Sequence, residues 1–115
     1  MIDSAVIKQL VNSYDTGKLQ ALISQSKTAD VARIEKLTEY ALVGNLKGIA
    51  VEADALKVSA EFLGMRRVAN RATELLRLAN LKNKGQAFLQ CQAITKLIAT
   101  EISQDFKAIS DAITV

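Results

Sequence analysis

The two residues best placed to take part in chemistry are Asp54 and Lys57, three positions apart in the sequence. On an α-helix this spacing sets a carboxylate and an ammonium one turn apart, close enough for an ion pair worth roughly a few tenths of a kcal/mol. An aspartate that accepts phosphate sits in an acidic pocket holding Mg²⁺. Glu61 is nearly two turns away and Glu52 points elsewhere on the helix. The spacing therefore predicts a surface carboxylate and no metal-assisted phosphorylation.

Histidine is missing from the chain, and Cys91 is the single cysteine. Imidazole acid–base catalysis, histidine metal ligands and phosphohistidine chemistry are therefore excluded within this sequence. One cysteine forms no internal disulfide, which fits a reducing compartment. Without a histidine partner it is interpreted as a small buried hydrophobe and not as a nucleophile. We expect no catalytic centre, no cofactor and no metal, and hence no enzyme.

Composition indicates one all-α domain spanning residues 1–115. Half of the residues are hydrophobic, proline is absent, and only 4% are aromatic. The dominant residue types favour helices, and 115 residues suffice for one domain with a core. The net charge of +3 comes without a Lys/Arg run interleaved with aromatics, so we expect no nucleic acid partner.

The longest apolar runs are too short to span a bilayer, and the first residues do not begin a signal peptide. We therefore expect no membrane association and a cytoplasmic location.

Apolar residues at the helical period predict a short helix capped by Asp3–Ser4 and four longer ones over residues 17–43, 46–63, 65–79 and 86–112. Gly44 and Gly64 are expected to end the second and third helices. Short loops make successive helices antiparallel. The pattern thus predicts an antiparallel four-helix up-down bundle with a short additional N-terminal helix lying across it.

The second helix has a polar interruption in its apolar face. Ser26 and Asp30 occupy the middle of the stripe that should face the core. We expect a bend, a wet patch or a break near residues 27–30, because an unpaired polar group is costly to bury.

The third predicted helix carries a second apolar row at i, i+4, i+7 and i+11, formed by Val51, Ala55, Val58 and Phe62. Either the row is buried against a neighbouring helix, or part of it is an exposed docking patch with Asp54 and Lys57 at its edge. Basic residues gather nearby, and form either a solvated face or a rim that meets an acidic partner: Lys57, Arg66, Arg67 and Arg71.

The stretch from Asp54 to Gly64 resembles the signature of the histidine-containing phosphotransfer (HPt) family. That signature runs His, any residue, Leu, Lys, Gly, Ser, Ala, two or three variable residues, an apolar residue and Gly. This chain agrees at Leu56, Lys57, Ser59, Ala60, Leu63 and Gly64. The approach through Leu37, Ala41-Leu42 and Gly44-Asn45-Leu46 and the helices after Gly64 also resemble the family, so the similarity covers nearly the whole chain.

The resemblance implies a four-helix bundle that carries a phosphoryl group on histidine between receiver or kinase domains, with Lys57 as the cation beside it. Two departures are decisive. Asp54 stands at the histidine position, and Val58 stands at the glycine position that lets the receiver approach. The resemblance therefore implies a degenerate member that binds a receiver or histidine-kinase domain without carrying phosphate. Its expected docking residues are Val51, Asp54, Ala55, Lys57, Val58, Glu61, Phe62, Arg66 and Arg67.

A second hypothesis is a structural or self-associating helical interaction module, with the same apolar row as its contact surface. Under either hypothesis we expect a monomer or a weak homodimer.

Overall fold

The computed structural model describes residues 2–81 and 84–113, apart from the side chains of residues 84 and 86. In this part of the chain the regular secondary structure consists of helices joined by short turns, with an isolated β-bridge between Ile2 and Met65. The prediction of an all-α chain is therefore confirmed. The five helices are α1 (Ser4–Ser13), α2 (Thr16–Val43), α3 (Leu46–Phe62), α4 (Arg66–Ala79) and α5 (Lys84–Ile113).

Local sequence signals set most of the helix ends. The side chains of Asp3, Asp15 and Asn45 cap α1, α2 and α3 by accepting a hydrogen bond from a backbone N–H two or three residues further on. Gly44 ends α2 and Gly64 follows α3, with φ of 75° and 73°. Both values lie in the left-handed region, where a side chain is strained, so glycine is the residue suited to these two turns.

The helix limits differ from the predicted ones by at most two residues. Helix α2 runs unbroken through residues 27–30, where a break was one of the expectations, because buried Asp30 finds partners inside the protein. Helix α5 begins at Lys84, two residues before the predicted start. The loop expected between the predicted fourth and fifth helices, residues 80–85, includes residues 82 and 83, which lie outside the described residues.

Helices α2 to α5 contact one another in a cycle. Helix α3 packs against α2 and α4, and α5 packs against the same two helices from the other side. Helix α1 contacts α5 and α2. The segment before α1 is held to the α3–α4 turn, where the Asp3 N–H donates to the Gly64 carbonyl at 2.7 Å. The largest fully buried apolar side chains are Leu19, Leu37, Ile49, Leu56, Leu63, Met65, Val68, Leu75, Leu78, Ile98 and Ile109.

Across the described ranges, no helix combines the length and the apolar composition needed to cross a bilayer.

Candidate functional site

A row of exposed apolar side chains runs along the outer side of α3. Val51 is 67% exposed, Val58 62% and Phe62 43%, and Ala55 between them is half-buried. The opposite face of α3 is fully buried, as at Leu56. Of the two alternatives for this row, burial against a neighbouring helix is thus excluded for its three large side chains. Helix α3 has one face in the core and one apolar strip in solvent, which is typical of a docking surface.

The acidic residues beside the row lie on its α4 side. Asp54 and Glu61 are exposed, and Lys57 is half-buried. Among the ion pairs of the described residues there is none between Asp54 and Lys57, although their spacing permits one. At about 100° per residue, Asp54 and Glu61 share one edge of the row, seven positions apart. We call these two residues the acidic edge.

On the other side of the row, α3 is joined to α2 by a buried hydrogen-bond cluster. The Ser59 hydroxyl donates to Asp30 Oδ2 at 2.8 Å, and Arg33 donates to Asp30 Oδ1 at 2.5 Å. The Asp30 side chain is fully buried, and this burial raises the pKa of its carboxyl despite both hydrogen bonds. Ser59, one of the signature residues, therefore has a structural partner in this chain.

Further contacts fix how α2 lies against α3. Lys36 Nζ is 3.8 Å from Glu52 Oε1, nearly two turns further along the α2–α3 contact from the Asp30–Ser59 bond. Residue numbers rise along α2 as they fall along α3, so the two helices run in opposite directions. Arg33 lies on α2 between Asp30 and Lys36, which puts Arg33 and Lys36 beside the row on its α2 side. We call these two residues the basic edge.

Arg66 lies at the corner between α3, α4 and the N-terminal segment. Its guanidinium binds Asp3 Oδ2 through Nε at 2.9 Å and Nη2 at 2.5 Å, and this pairing lowers the pKa of Asp3. Arg66 and Glu61 both line a polar depression of about 320 Å³ at this corner. Two of the predicted docking residues from different helices are thus brought together next to the end of the row.

Arg67 and Arg71 point away from this corner, toward α5. Arg67 Nη2 donates to Asp105 at 2.9 Å, and Arg71 Nε donates to Glu101 at 2.9 Å. Glu101 also lies 3.5 Å from Arg67 Nε. The predicted basic rim is therefore divided: Arg66 lies near the row, and the other two arginines join α4 to α5. Docking by Arg67 stays a prediction.

Sequence reasoning missed the acidic partners of these arginines. Glu101 and Asp105 are both largely buried on α5, four residues apart, among the apolar residues that form its inner stripe. Two carboxylates four residues apart inside an apolar stripe could have predicted these ion pairs, because a buried carboxylate is costly without a partner.

The single cysteine of the sequence lies in the core. Cys91 is fully buried, as its interpretation as a small hydrophobe required, and burial raises the pKa of its thiol. Within the ranges that the structure describes, histidine, cysteine and carboxylate side chains form no group of three that could hold a metal ion.

The arrangement on α3 suits non-covalent docking, because it combines an exposed apolar row with an acidic and a basic edge. Comparisons of the chain with protein-family models, with curated proteins and with solved structures gave no match.

Proposed function

We propose that this chain is a non-catalytic, HPt-like protein of two-component or phosphorelay signalling, which binds a receiver domain or a histidine-kinase domain in the cytoplasm. The observation that carries the proposal is the exposed row of Val51, Val58 and Phe62. The row lies beside Asp54 and Lys57. Members of the HPt family carry the histidine and the lysine of their signature at this part of the helix. No phosphoryl group is carried on histidine, because the sequence has none.

The proposal includes the finer architecture of the family, an antiparallel four-helix up-down bundle of α2 to α5 with α1 as an additional helix. Two features support it. The contacts of α2 to α5 close a cycle, and Lys36–Glu52 with Asp30–Ser59 give α2 and α3 opposite directions. In such a bundle the row of α3 stands on the outside, open to a partner.

Binding would rest on burial of the row, with the charges setting orientation and association rate. A partner that covers a large apolar side chain completely gains roughly 1.5–3 kcal/mol from it, before the cost of association. Lys57 and Arg66 would attract an acidic partner surface. The Asp54 carboxylate keeps a fixed negative charge at the histidine position, although one carboxylate is a poor copy of a phosphoryl dianion.

Calorimetric titration of the purified chain against individual receiver and histidine-kinase domains from the same cell tests the proposal. We expect at least one of them to bind, and Val58→Glu to weaken that binding at least about tenfold, because it places a charge in the middle of the row. Leu89→Glu is the matched control, since Leu89 is a similarly exposed apolar residue (69%) on α5.

Absence of binding to every receiver and kinase domain would overturn the proposal. Binding that Val58→Glu and Leu89→Glu weaken equally would show that the partner uses another surface.

A further inference from the structure

The apolar row of α3 lies between two exposed acidic side chains on one side and two basic ones on the other, and the half-buried Lys57 lies further from the row, toward α4. Asp54 and Glu61 form the acidic edge on the α4 side, and Arg33 and Lys36 form the basic edge on the α2 side. The cations of the basic edge are accessible, with side-chain exposures of 29% for Arg33 and 57% for Lys36. Each has an internal carboxylate partner and keeps further N–H donors, since a guanidinium has five and an ammonium three.

Asp54 lies at the same level as the cations of the basic edge, where level means the position along the α3 axis. Lys36 is level with Glu52 and Asp30 is level with Ser59, as their contacts show. Arg33 is midway between Asp30 and Lys36 on α2, so its level falls near the middle of that interval. Asp54 therefore stands between the levels of Lys36 and Arg33, on the opposite side of the row.

This layout is self-complementary under one particular two-fold rotation. If the axis runs parallel to α3, the row meets its own copy with the two α3 helices parallel. Asp54 in the acidic edge of each chain then faces the basic edge of the other at the same level. If the axis runs across α3, the helices are antiparallel and acidic edge faces acidic edge, which is repulsive. Charge complementarity thus selects the parallel arrangement.

We propose that two copies of this chain associate through the row as a two-fold symmetric dimer with parallel α3 helices, in which Asp54 of each copy pairs with Arg33 and Lys36 of the other. Val51, Val58 and Phe62 of each chain bury one another at the centre, as in other isologous interfaces. The dimer needs no signalling partner, and it excludes a receiver because both would cover the same row.

Sedimentation equilibrium of the full chain tests whether the dimer exists. We expect the mass to rise from 12.5 kDa toward twice that value between roughly 10 µM and 1 mM, a range typical of weak association. Val58→Glu should keep the chain monomeric, and the equally exposed control Leu89→Glu should not. Circular dichroism verifies that both variants fold. A monomer at every concentration, or a dimer indifferent to Val58→Glu, overturns the proposal and leaves receiver binding untouched.

Disulfide trapping tests the direction of the helices. In the parallel dimer each residue of the row faces its own counterpart, so Val51→Cys and Phe62→Cys should each cross-link to an identical copy under mild oxidation. In an antiparallel dimer about the middle of the row, position 51 would face position 62. Identical positions would then be about 16 Å apart along the helix, too far for a disulfide.

Cross-links that form only between the two different variants therefore contradict the parallel arrangement. Lys107→Cys, at an exposed position of α5, is the control that should not cross-link, and native Cys91 is buried and does not interfere.

Charge reversal tests the pairing itself. Asp54→Lys should raise the dissociation constant at least about tenfold, because it faces two cations of the other copy. Combining Asp54→Lys with Lys36→Glu in one chain should recover most of that loss, since the pair is restored with reversed sign. A double variant that dimerises no better than Asp54→Lys alone refutes this pairing.

Discussion

The Ser59 hydroxyl on α3 donates a hydrogen bond of 2.8 Å to the fully buried Asp30 carboxylate on α2. This bond joins residues 29 positions apart in sequence and connects the helix that carries the exposed apolar row to its neighbour. It also accounts for a serine in the signature-like stretch without any role in phosphate chemistry.

Ser59→Ala should lower the free energy of unfolding by about 1–3 kcal/mol, because Asp30 Oδ2 stays buried and loses its donor. Urea denaturation followed by circular dichroism measures the change. Ser103→Ala, at an exposed serine of α5, should change stability by less than about 0.5 kcal/mol. A Ser59→Ala loss no larger than that of the control would contradict the importance of the bond.

Asp30 should also give stability a pH dependence of known sign. Burial raises the pKa of Asp30 above the ordinary value of 3.8. The folded state therefore holds the Asp30 proton more tightly than the unfolded state does. This contribution is fully present below pH 3.8 and is lost as the pH rises through the raised pKa.

The difference in unfolding free energy between wild type and Asp30→Asn should therefore shift in favour of wild type as the pH falls from about 7 to about 4. Arginine partners lower the pKa values of Asp3 and Glu74, so these two residues give stability the opposite pH dependence. Their contribution is the same in wild type and in Asp30→Asn and cancels in the difference. Urea denaturation at several pH values gives the difference. A difference that is constant with pH would contradict the buried, ionisable state of Asp30.

Gly48→Ala should destabilise the chain although alanine favours helices. An added Cβ at Gly48 would lie 2.6 Å from Cδ2 of the Tyr40 ring on α2, so the ring or the helix must move. We expect a loss of about 1–2 kcal/mol, the cost of overpacking less the gain in helix propensity. Gly85→Ala is the control, because no neighbouring atom of the described residues lies within 4 Å of its added Cβ, and it should be neutral or stabilising. Thermal denaturation distinguishes the two, and equal effects would refute the close packing of Tyr40.

Arg67→Ala should lower stability by about 1–3 kcal/mol, since it removes a hydrogen-bonded cation from the almost fully buried Asp105. Arg66→Ala should change stability little, because the Arg66 side chain is 77% exposed. In receiver binding we expect the reverse order, with the larger loss from Arg66→Ala. Denaturation of both variants compares their losses of stability, and calorimetric titration compares their losses of receiver binding. A stability loss that is larger for Arg66→Ala would contradict the assignment of Arg67 to the α4–α5 contact.

Asp54→His combined with Val58→Gly should enable the chain to accept a phosphoryl group from a phosphorylated receiver. The first change supplies an imidazole nitrogen beside Lys57, and the second removes the branched side chain that covers the approach. Incubation with a radiolabelled phospho-receiver, followed by acid and base treatment, measures the label. We expect label in the double variant, much less in Asp54→His, and none in wild type.

Stable label on the wild-type chain would overturn the non-catalytic proposal. An unlabelled double variant would mean that the docking face no longer fits a receiver.

The helices could be predicted from the sequence nearly to the residue because their signals are local. Asp3 and Asn45 cap helices within three residues of themselves, and Gly44 and Gly64 adopt left-handed turns next to the helix ends. The apolar period of each helix separates its buried face from its exposed face within a few turns. Such signals do not depend on which helix becomes a neighbour.

The sequence by itself determined an all-α chain, the limits of its helices, and the absence of histidine chemistry. Only the tertiary structure decided that Val51, Val58 and Phe62 stay exposed, that Asp30 in the polar middle of α2 bonds to Ser59, and that Arg67 pairs with Asp105. The two hydrogen bonds join residues 29 and 38 positions apart in the sequence. Helical periodicity shows which side a residue occupies, but the partner on that side exists only once the helices have packed.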